Sequence, residues 1–214
     1  MKITWHGHSC FRLSARGLAT VVTDPYDHKV VGYQALSLRG HIVSISQEAP
    51  AYNHEAVVKS KDRILRGPGE FEIGDVFITA VSTNGGKKRK EDELKNTLYV
   101  FDYEGVSIAH LGNLHRVPSQ SQVEALGTVN VALVPVGGEG GLNAAKAAEV
   151  ISLLEPGIVI PMHYGNDKCK IELDPLSKFL KEMGLGEIAP IEELNVTQSS
   201  VPGETQVIVL DYQA

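Results

Sequence analysis

The sequence predicts an α/β fold of two mixed β-sheets flanked by helices, and three observations lead there. Short apolar or alternating runs fill the first half of the chain. Strand and helix signatures alternate in the second half, and strands followed by alternation is the pattern of stacked α/β layers. Polar residues gather where strands are expected to end: His6 and His8, Asp24, Gln47 to His54, His110 to His115, and His163. Loops at strand ends are where α/β proteins build their sites.

Taken in order, Lys2 to Trp5, Cys10 to Leu13 and Leu18 to Thr23 are short runs separated by Gly or Ser turns, and His41 to Ser46 and Arg63 to Arg66 follow. Gly67-Pro68-Gly69-Glu70 reads as a tight turn with an exposed acid. Val76 to Val81, Thr97 to Tyr103 and Val106 to Leu111 are strands, the last two joined at Glu104-Gly105. Between them, Ser82 to Lys95 is polar and rich in Gly and Lys, the composition of a mobile loop. Glu70 and Glu72 are expected to face different ways and not to form an acid–base pair.

In the second half, Ser119 caps a helix running through Val123 and Leu126, and the strand Val131 to Val136 follows. Asn143 opens a helix on which Ala144, Ala147, Ala148, Ile151 and Leu154 recur at helical spacing, and Pro156 closes it. Ile158 to Pro161 delivers His163 to a loop. Asp174-Pro175 has the signature of a helix start, running to Met183 with Gly184 as its stop. Thr205 to Tyr212 is a last strand. No repeat or linker divides the chain, so residues 1–214 are expected to form one domain.

Composition narrows the function classes. With 43% hydrophobic and 21% charged residues the chain reads as globular. Twenty basic and 26 acidic residues leave a net charge of −6, which argues against a nucleic-acid footprint. The cluster Lys87-Lys88-Arg89-Lys90 runs straight into Glu91, Asp92 and Glu93 and reads as a solvated loop. Two cysteines, Cys10 and Cys169, make no disulfide framework, and Cys10 reads as a buried structural thiol. No apolar signal core opens the chain and no run reaches transmembrane length, so a cytoplasmic protein without a membrane partner is expected.

Six segments carry a resemblance: Trp5-His6-Gly7-His8-Ser9-Cys10-Phe11, Thr23-Asp24-Pro25, Gly67-Pro68-Gly69-Glu70-Phe71-Glu72-Ile73-Gly74, His110-Leu111-Gly112, Pro135-Val136-Gly137-Gly138 and Ile160-Pro161-Met162-His163-Tyr164. In this order they resemble the metallo-β-lactamase fold superfamily, and more narrowly its zinc-dependent hydrolase branch. The resemblance implies a four-layer αββα sandwich. It also implies two metal ions held by an H-x-H-x-D-H loop, a later His, an Asp after the His-Leu-Gly strand and a His near the C-terminus. Such ligands suit zinc, and an open coordination position lowers the pKa of a bound water towards neutrality.

Against that pattern, Gln47 and Ala49 stand where the paired histidines belong. Ala51 and Tyr52 stand where the Asp and final His belong, and Asn113 occupies the bridging Asp position. No histidine falls between His54 and His110, so the later His is missing as well. His163 survives as a ligand type, and Asp24 matches a residue that supports the ligand loop. Ala has no donor atom, the amides of Gln and Asn are weak ligands, and a Tyr phenol is mostly protonated at neutral pH. Clustered carboxylates without a cation would repel one another, so Asn113 and Ala51 suit a site without metal.

The expected pocket is therefore His6, His8, Asp24, His110 and His163, with no metal expected and no catalytic residue assigned. His6 and His8 bracket Gly7 at a turn, and structural hydrogen bonding is favoured over joint metal binding. Gly137 to Gly141 before a helix reads as a flexible connection, since it lacks the Lys-Ser/Thr of a P-loop. Three functions are carried forward. The first is a non-catalytic homologue that keeps a pocket for a small molecule or a protein partner. The second is a hydrolase of the zinc-dependent type with an altered, mononuclear site for zinc or another divalent metal, drawn from His163, His110, Asp24 and a nearby His. The third is a structural subunit, a homo-oligomer whose old pocket is vestigial.

Overall fold

The computed structural model describes residues 1–83, 95–138 and 140–214. Along the chain it forms β1 (Lys2–Trp5), β2 (Phe11–Ser14), β3 (Val21–Thr23), α1 (His28–Val31), β4 (Leu38–Arg39), β5 (Ile42–Ile45), β6 (Val58–Lys59), β7 (Arg63–Arg66), β8 (Gly69–Ile73) and β9 (Val76–Ser82). There follow β10 (Thr97–Tyr103), β11 (Val106–His110), α2 (Gln120–Leu126), β12 (Val131–Pro135), α3 (Ala144–Leu154), β13 (Ile158–Met162), α4 (Leu176–Glu182), β14 (Leu194–Asn195) and β15 (Gln206–Val207).

Two mixed sheets result. The first has the order β14-β1-β2-β3-β5-β7 and the second β15-β13-β12-β11-β10-β9-β8. In each, antiparallel hairpins give way to parallel strands: β3, β5 and β7 in one, and β11, β12, β13 and β15 in the other. Parallel strands need both faces covered, and β5, β12 and β13 are buried along their whole length. On the second sheet α2 lies against β9 and α3 against β12, with α4 against α3.

Strand β10 shows why the sheets stack. Side chains alternate along a strand, so Tyr99, Phe101 and Tyr103 share one face, and all three are buried. Tyr99 donates its hydroxyl to the carbonyls of Ile45 (3.1 Å) and Leu65 (3.2 Å), on β5 and β7 of the other sheet. Tyr103 donates to Ala19 at 2.8 Å and Leu13 at 3.2 Å. Each tyrosine buries a large apolar body and finds a partner for its polar tip across the sandwich.

Helix starts follow their caps. Ser119 and Gln122 form the reciprocal capping box of α2, Asn143 accepts from Lys146 N at 3.0 Å to cap α3, and Pro175 precedes α4. Several expectations are corrected. Gly69 and Glu70 belong to a strand rather than a turn: β8 pairs antiparallel with β9 from Gly69 opposite Ala80 to Ile73 opposite Val76. Glu70 and Glu72 share its exposed face, as residues two apart in a strand must. The last strand is only Gln206–Val207, since Leu210 and Tyr212 make single bridges to Ile191 and Trp5. Most of the Ser82 to Lys95 loop, the basic cluster within it, and Glu139 lie outside the described residues. No helix among the described residues is long and apolar enough to cross a membrane.

Candidate functional site

The parallel strands of both sheets send their C-terminal ends to one region, and the site is built there in two tiers. The lower tier is buried. Asp24 follows β3, and its Oδ1 accepts from the Ser46 backbone N–H at 2.7 Å while Oδ2 lies 2.5 Å from Ser46 Oγ. His110 ends β11 and donates from Nε2 to the Ser9 carbonyl at 2.9 Å. A carbonyl only accepts, so the proton is on Nε2 and Nδ1 is bare, with no partner. His110 Nε2 and Asp24 Oδ2 are 3.9 Å apart. Burial pushes the Asp24 carboxyl up to about 8, against the pull of its two Ser46 hydrogen bonds. Burial also takes His110 down to about 4. At neutral pH this pair is therefore uncharged, acid beside imidazole, and not an ion pair.

The upper tier holds His8, Gln47, Tyr52, Asn113 and His163. Tyr52 Oη is 3.0 Å from His163 Nε2. The His8 ring lies 4.4 Å from that of His163 and 5.0 Å from that of Tyr52, centroid to centroid. Asn113 Nδ2 donates to Gln47 Oε1 at 3.1 Å. Gln47 and Tyr52 end one short turn, in which Ala49 N donates to the Gln47 carbonyl and Tyr52 N to the Ala49 carbonyl. Burial lowers His163 to about 4, holds His8 well below the ordinary imidazole range, and raises the Tyr52 phenol. Every titratable group of this tier is thus neutral at pH 7.

The backbone here is strained in a concerted way. His8, Asp24 and His163 have φ of 51°, 38° and 52°, left-handed values that cost a non-glycine residue about 1–2 kcal/mol each. All three are buried at strand ends. Strain of this kind persists where the surroundings over-determine it, and it clusters at functional sites. The His163 backbone N–H is tied to the His8 carbonyl at 3.2 Å, which also accepts from Trp5 Nε1 at 3.0 Å. Gly112, at φ 58°, lets the chain pass where a Cβ would lie 2.5 Å from Ser46 Oγ and Asn96 Oδ1.

Of the residues expected to share a pocket, His8 and His163 meet in the upper tier, and Asp24 and His110 meet in the buried lower tier. His6 is a correction. Its Nδ1 bonds the Gln213 carbonyl at 2.9 Å, away from the cluster. In an unbroken strand His6 and His8 would share a face, but the turn at Gly7 (φ 92°) separates them. Ala51 is buried and Ala49 half-buried, and neither brings a polar side chain. Ser46 and Asn96 were not singled out by sequence. Asn96 Oδ1 accepts from Asn113 N at 3.0 Å and Nδ2 donates to the Leu111 carbonyl at 3.1 Å, which fixes the loop carrying Asn113. A lone Asn before a strand carries no signal for that role.

A profile of the Beta-lactamase superfamily domain matches residues 2–163. The chain belongs to that family. A crystal structure from Thermotoga maritima, named as a candidate Zn-dependent hydrolase of the metallo-β-lactamase superfamily, is similar at 34% identity and a TM-score of 0.81, covering 99% of each chain. A UPF0173 protein of Pyrococcus furiosus is 29% identical over 206 residues, 86% of this chain and 90% of its own. A protein of Thermoplasma volcanium named a UPF0173 metal-dependent hydrolase is 28% identical over 203 residues, 82% of this chain and 88% of its own. Together with the two mixed sheets, these make the α/β metallo-β-lactamase-like fold secure.

The resemblance implies zinc at these strand ends, and the side chains present there decide whether it fits. Zinc takes imidazole, carboxylate and thiolate ligands, three or four to a centre. The upper tier offers two imidazoles, one protonated phenol and two amides. Among the described residues, no three His, Cys, Asp or Glu side chains come together as a metal centre needs. The buried carboxylate of the lower tier, Asp24, has both oxygens engaged by Ser46. The donor set does not fit a binuclear zinc centre.

Proposed function

We propose that the strand-end pocket binds a small molecule through neutral hydrogen-bonding groups, without the binuclear metal centre that the superfamily resemblance implies. One observation carries this reading. His8, Gln47, Asn113 and His163 each keep a buried side-chain N or O atom without a partner, and no carboxylate or thiolate stands among them. Unmade hydrogen bonds in a buried site cost about 1–3 kcal/mol each, and a bound ligand or ordered water relieves that. The two cysteines are free, which suits a reducing, cytoplasmic setting.

The second reading is a hydrolase with an altered, mononuclear zinc site that includes His163. It is favoured by the relatives: the Thermotoga and Thermoplasma proteins carry hydrolase names, and the first aligns over nearly the whole chain. On the comparisons alone this second reading is the stronger, and the donor chemistry pulls the other way.

Metal analysis decides between them. Protein purified without chelator or a His tag is expected to hold far less than one zinc, manganese or iron per chain. It is also expected to show no phosphodiesterase, lactonase or esterase turnover after metal is added. Near-stoichiometric metal that disappears in His163→Ala, together with turnover, would establish the hydrolase instead.

A further inference from the structure

A cleft of about 670 Å³ opens where β1 begins and where β10 turns into β11 at Glu104. Strand β1 leads away from it to His6 and β11 to His110, so it lies at the end of the sandwich opposite the strand-end cluster. The volume is that of a small-molecule site, and none of the lining residues belongs to either tier of the cluster. One wall is the less buried face of the first sheet. Lys2 stands opposite Ser14 on β2 and Asn195 on β14, and Arg12, two residues from Ser14, lies on the same face. Arg12 is half-buried, and it donates from Nε to the Arg39 carbonyl at 3.2 Å and from Nη1 to Ser14 Oγ at 3.4 Å. These bonds hold the guanidinium and leave Nη2 without a hydrogen bond among the described residues.

The charges of the cleft do not balance internally. Lys2 is matched by Glu193 at 3.0 Å. Arg12 and Arg16 both line the cleft, and among the described residues neither forms an ion pair. A half-buried guanidinium without a counter-charge is costly, and a bound anion offsets that cost. We propose that this cleft binds a phosphate group, with Arg12 and Arg16 supplying the charge and the Ser14 and Thr20 hydroxyls further donors. Ser14 Oγ accepts from Arg12 and so keeps its own O–H to give. The planar donor fork of a guanidinium matches phosphate oxygens, and donors from several residues suit a tetrahedral dianion better than a flat carboxylate. Glu104, the one carboxylate lining the cleft, opposes the anion. The free ion and a small phosphate monoester bring the same group, and the cleft has room for either. The proposal is independent of the strand-end reading.

The test titrates the full chain with inorganic phosphate at constant ionic strength, read by the Arg12 Nε–H and Ser14 backbone amide signals in NMR. Saturable shifts are expected, with affinity in the millimolar range suited to so small an ion, and sodium chloride should not reproduce them. Arg12→Gln and Arg16→Gln should each weaken binding at least about tenfold, since each removes a charge-assisted contact. Arg16 is exposed, so its variant keeps the test open even where Arg12→Gln disturbs the fold, and thermal melts verify both. Glu104→Gln should tighten binding, because it removes the opposing charge. Glycerol 3-phosphate separates the two sources. Tighter binding than inorganic phosphate assigns the cleft to a phosphorylated small molecule, and equal or weaker binding assigns it to the ion. Acetate should bind more weakly than phosphate. Phosphate shifts that do not saturate, that sodium chloride reproduces, or that persist unchanged in Arg16→Gln would overturn the proposal, as would equal affinity for acetate.

Discussion

Tyr52 Oη and His163 Nε2 meet at 3.0 Å across 111 residues of sequence, joining the turn after β5 to the end of β13. The contact ties the loop that the superfamily resemblance reads as a ligand loop to the histidine it reads as a ligand.

Tyr52→Phe removes that bond and little else. The Tyr52 ring also stacks with His163 and lies against His8, so the apolar contact stays. His163 then has both ring nitrogens buried and unpaired, since Nδ1 already lacks a partner. Chemical denaturation should show a loss of about 1–2 kcal/mol. The His163 ring signals should move while those of His110, in the lower tier, hold still. An unchanged unfolding midpoint would mean the contact contributes nothing.

Stability should peak near neutrality. Asp24, pushed up to about 8 by burial, keeps its proton in the folded state while the unfolded carboxyl loses it near 4. Folding therefore binds the extra proton, and stability falls by about 1.4 kcal/mol per pH unit as pH rises towards 8. His110 and His163 act in the opposite sense below their unfolded value of 6.5, because burial holds both neutral down to about 4. His8 adds a third term of the same sign. Three such histidines outweigh one aspartate, so this cluster destabilises the fold as pH drops from about 6.5 to 4. Asp24→Asn, which mimics the protonated acid, should abolish the decline between pH 6.5 and 8 and leave the acid limb in place. Urea midpoints at half-unit pH steps read both limbs.

Gly112→Ala tests how firmly the loop after β11 is set. At φ 58° an alanine is strained by about 1–2 kcal/mol, and its Cβ would meet Ser46 and Asn96 at 2.5 Å. Those two residues hold Asp24 and the Asn113 backbone. A drop of at least about 2 kcal/mol is expected, with selective disturbance of the Asn113 side-chain amide signals. A neutral effect would show that the loop has slack.

The strand-end positions were legible because short motifs in a fixed order mark them: His6-Gly7-His8, Asp24, His110-Leu111-Gly112 and His163. What each side chain does there was less so. Tyr52 read as a missing ligand, and its bond to His163 depends on two strands brought together by the sandwich. His6 and His8 look equivalent in the sequence, and only the turn at Gly7 sends one to the C-terminal tail and the other to the site. Gly67-Pro68-Gly69 hid the start of β8, since turn residues can also open an edge strand. The two-residue strands β4, β6 and β14 are too short to carry a periodicity.

Restoring ligand chemistry gives the sharpest test of how much of a metal-binding framework remains. The backbone at the strand ends is fixed by Asp24–Ser46, Asn96–Asn113 and His8–His163 contacts that involve none of the exchanged side chains. Gln47→His, Ala49→His, Ala51→Asp, Tyr52→His and Asn113→Asp together return the superfamily's residue types beside His163. The variant should bind at least one zinc per chain, because imidazole and carboxylate donors then converge where only neutral groups stood. Zinc should raise its melting temperature and leave that of the wild type unchanged, as mass action requires when only the folded state binds. The apo variant should be less stable than the wild type, since its added carboxylates repel without the cation. Elemental analysis and paired melts measure each part. A folded variant that takes up no zinc would show that the framework itself, and not only the ligand set, has moved away from metal binding.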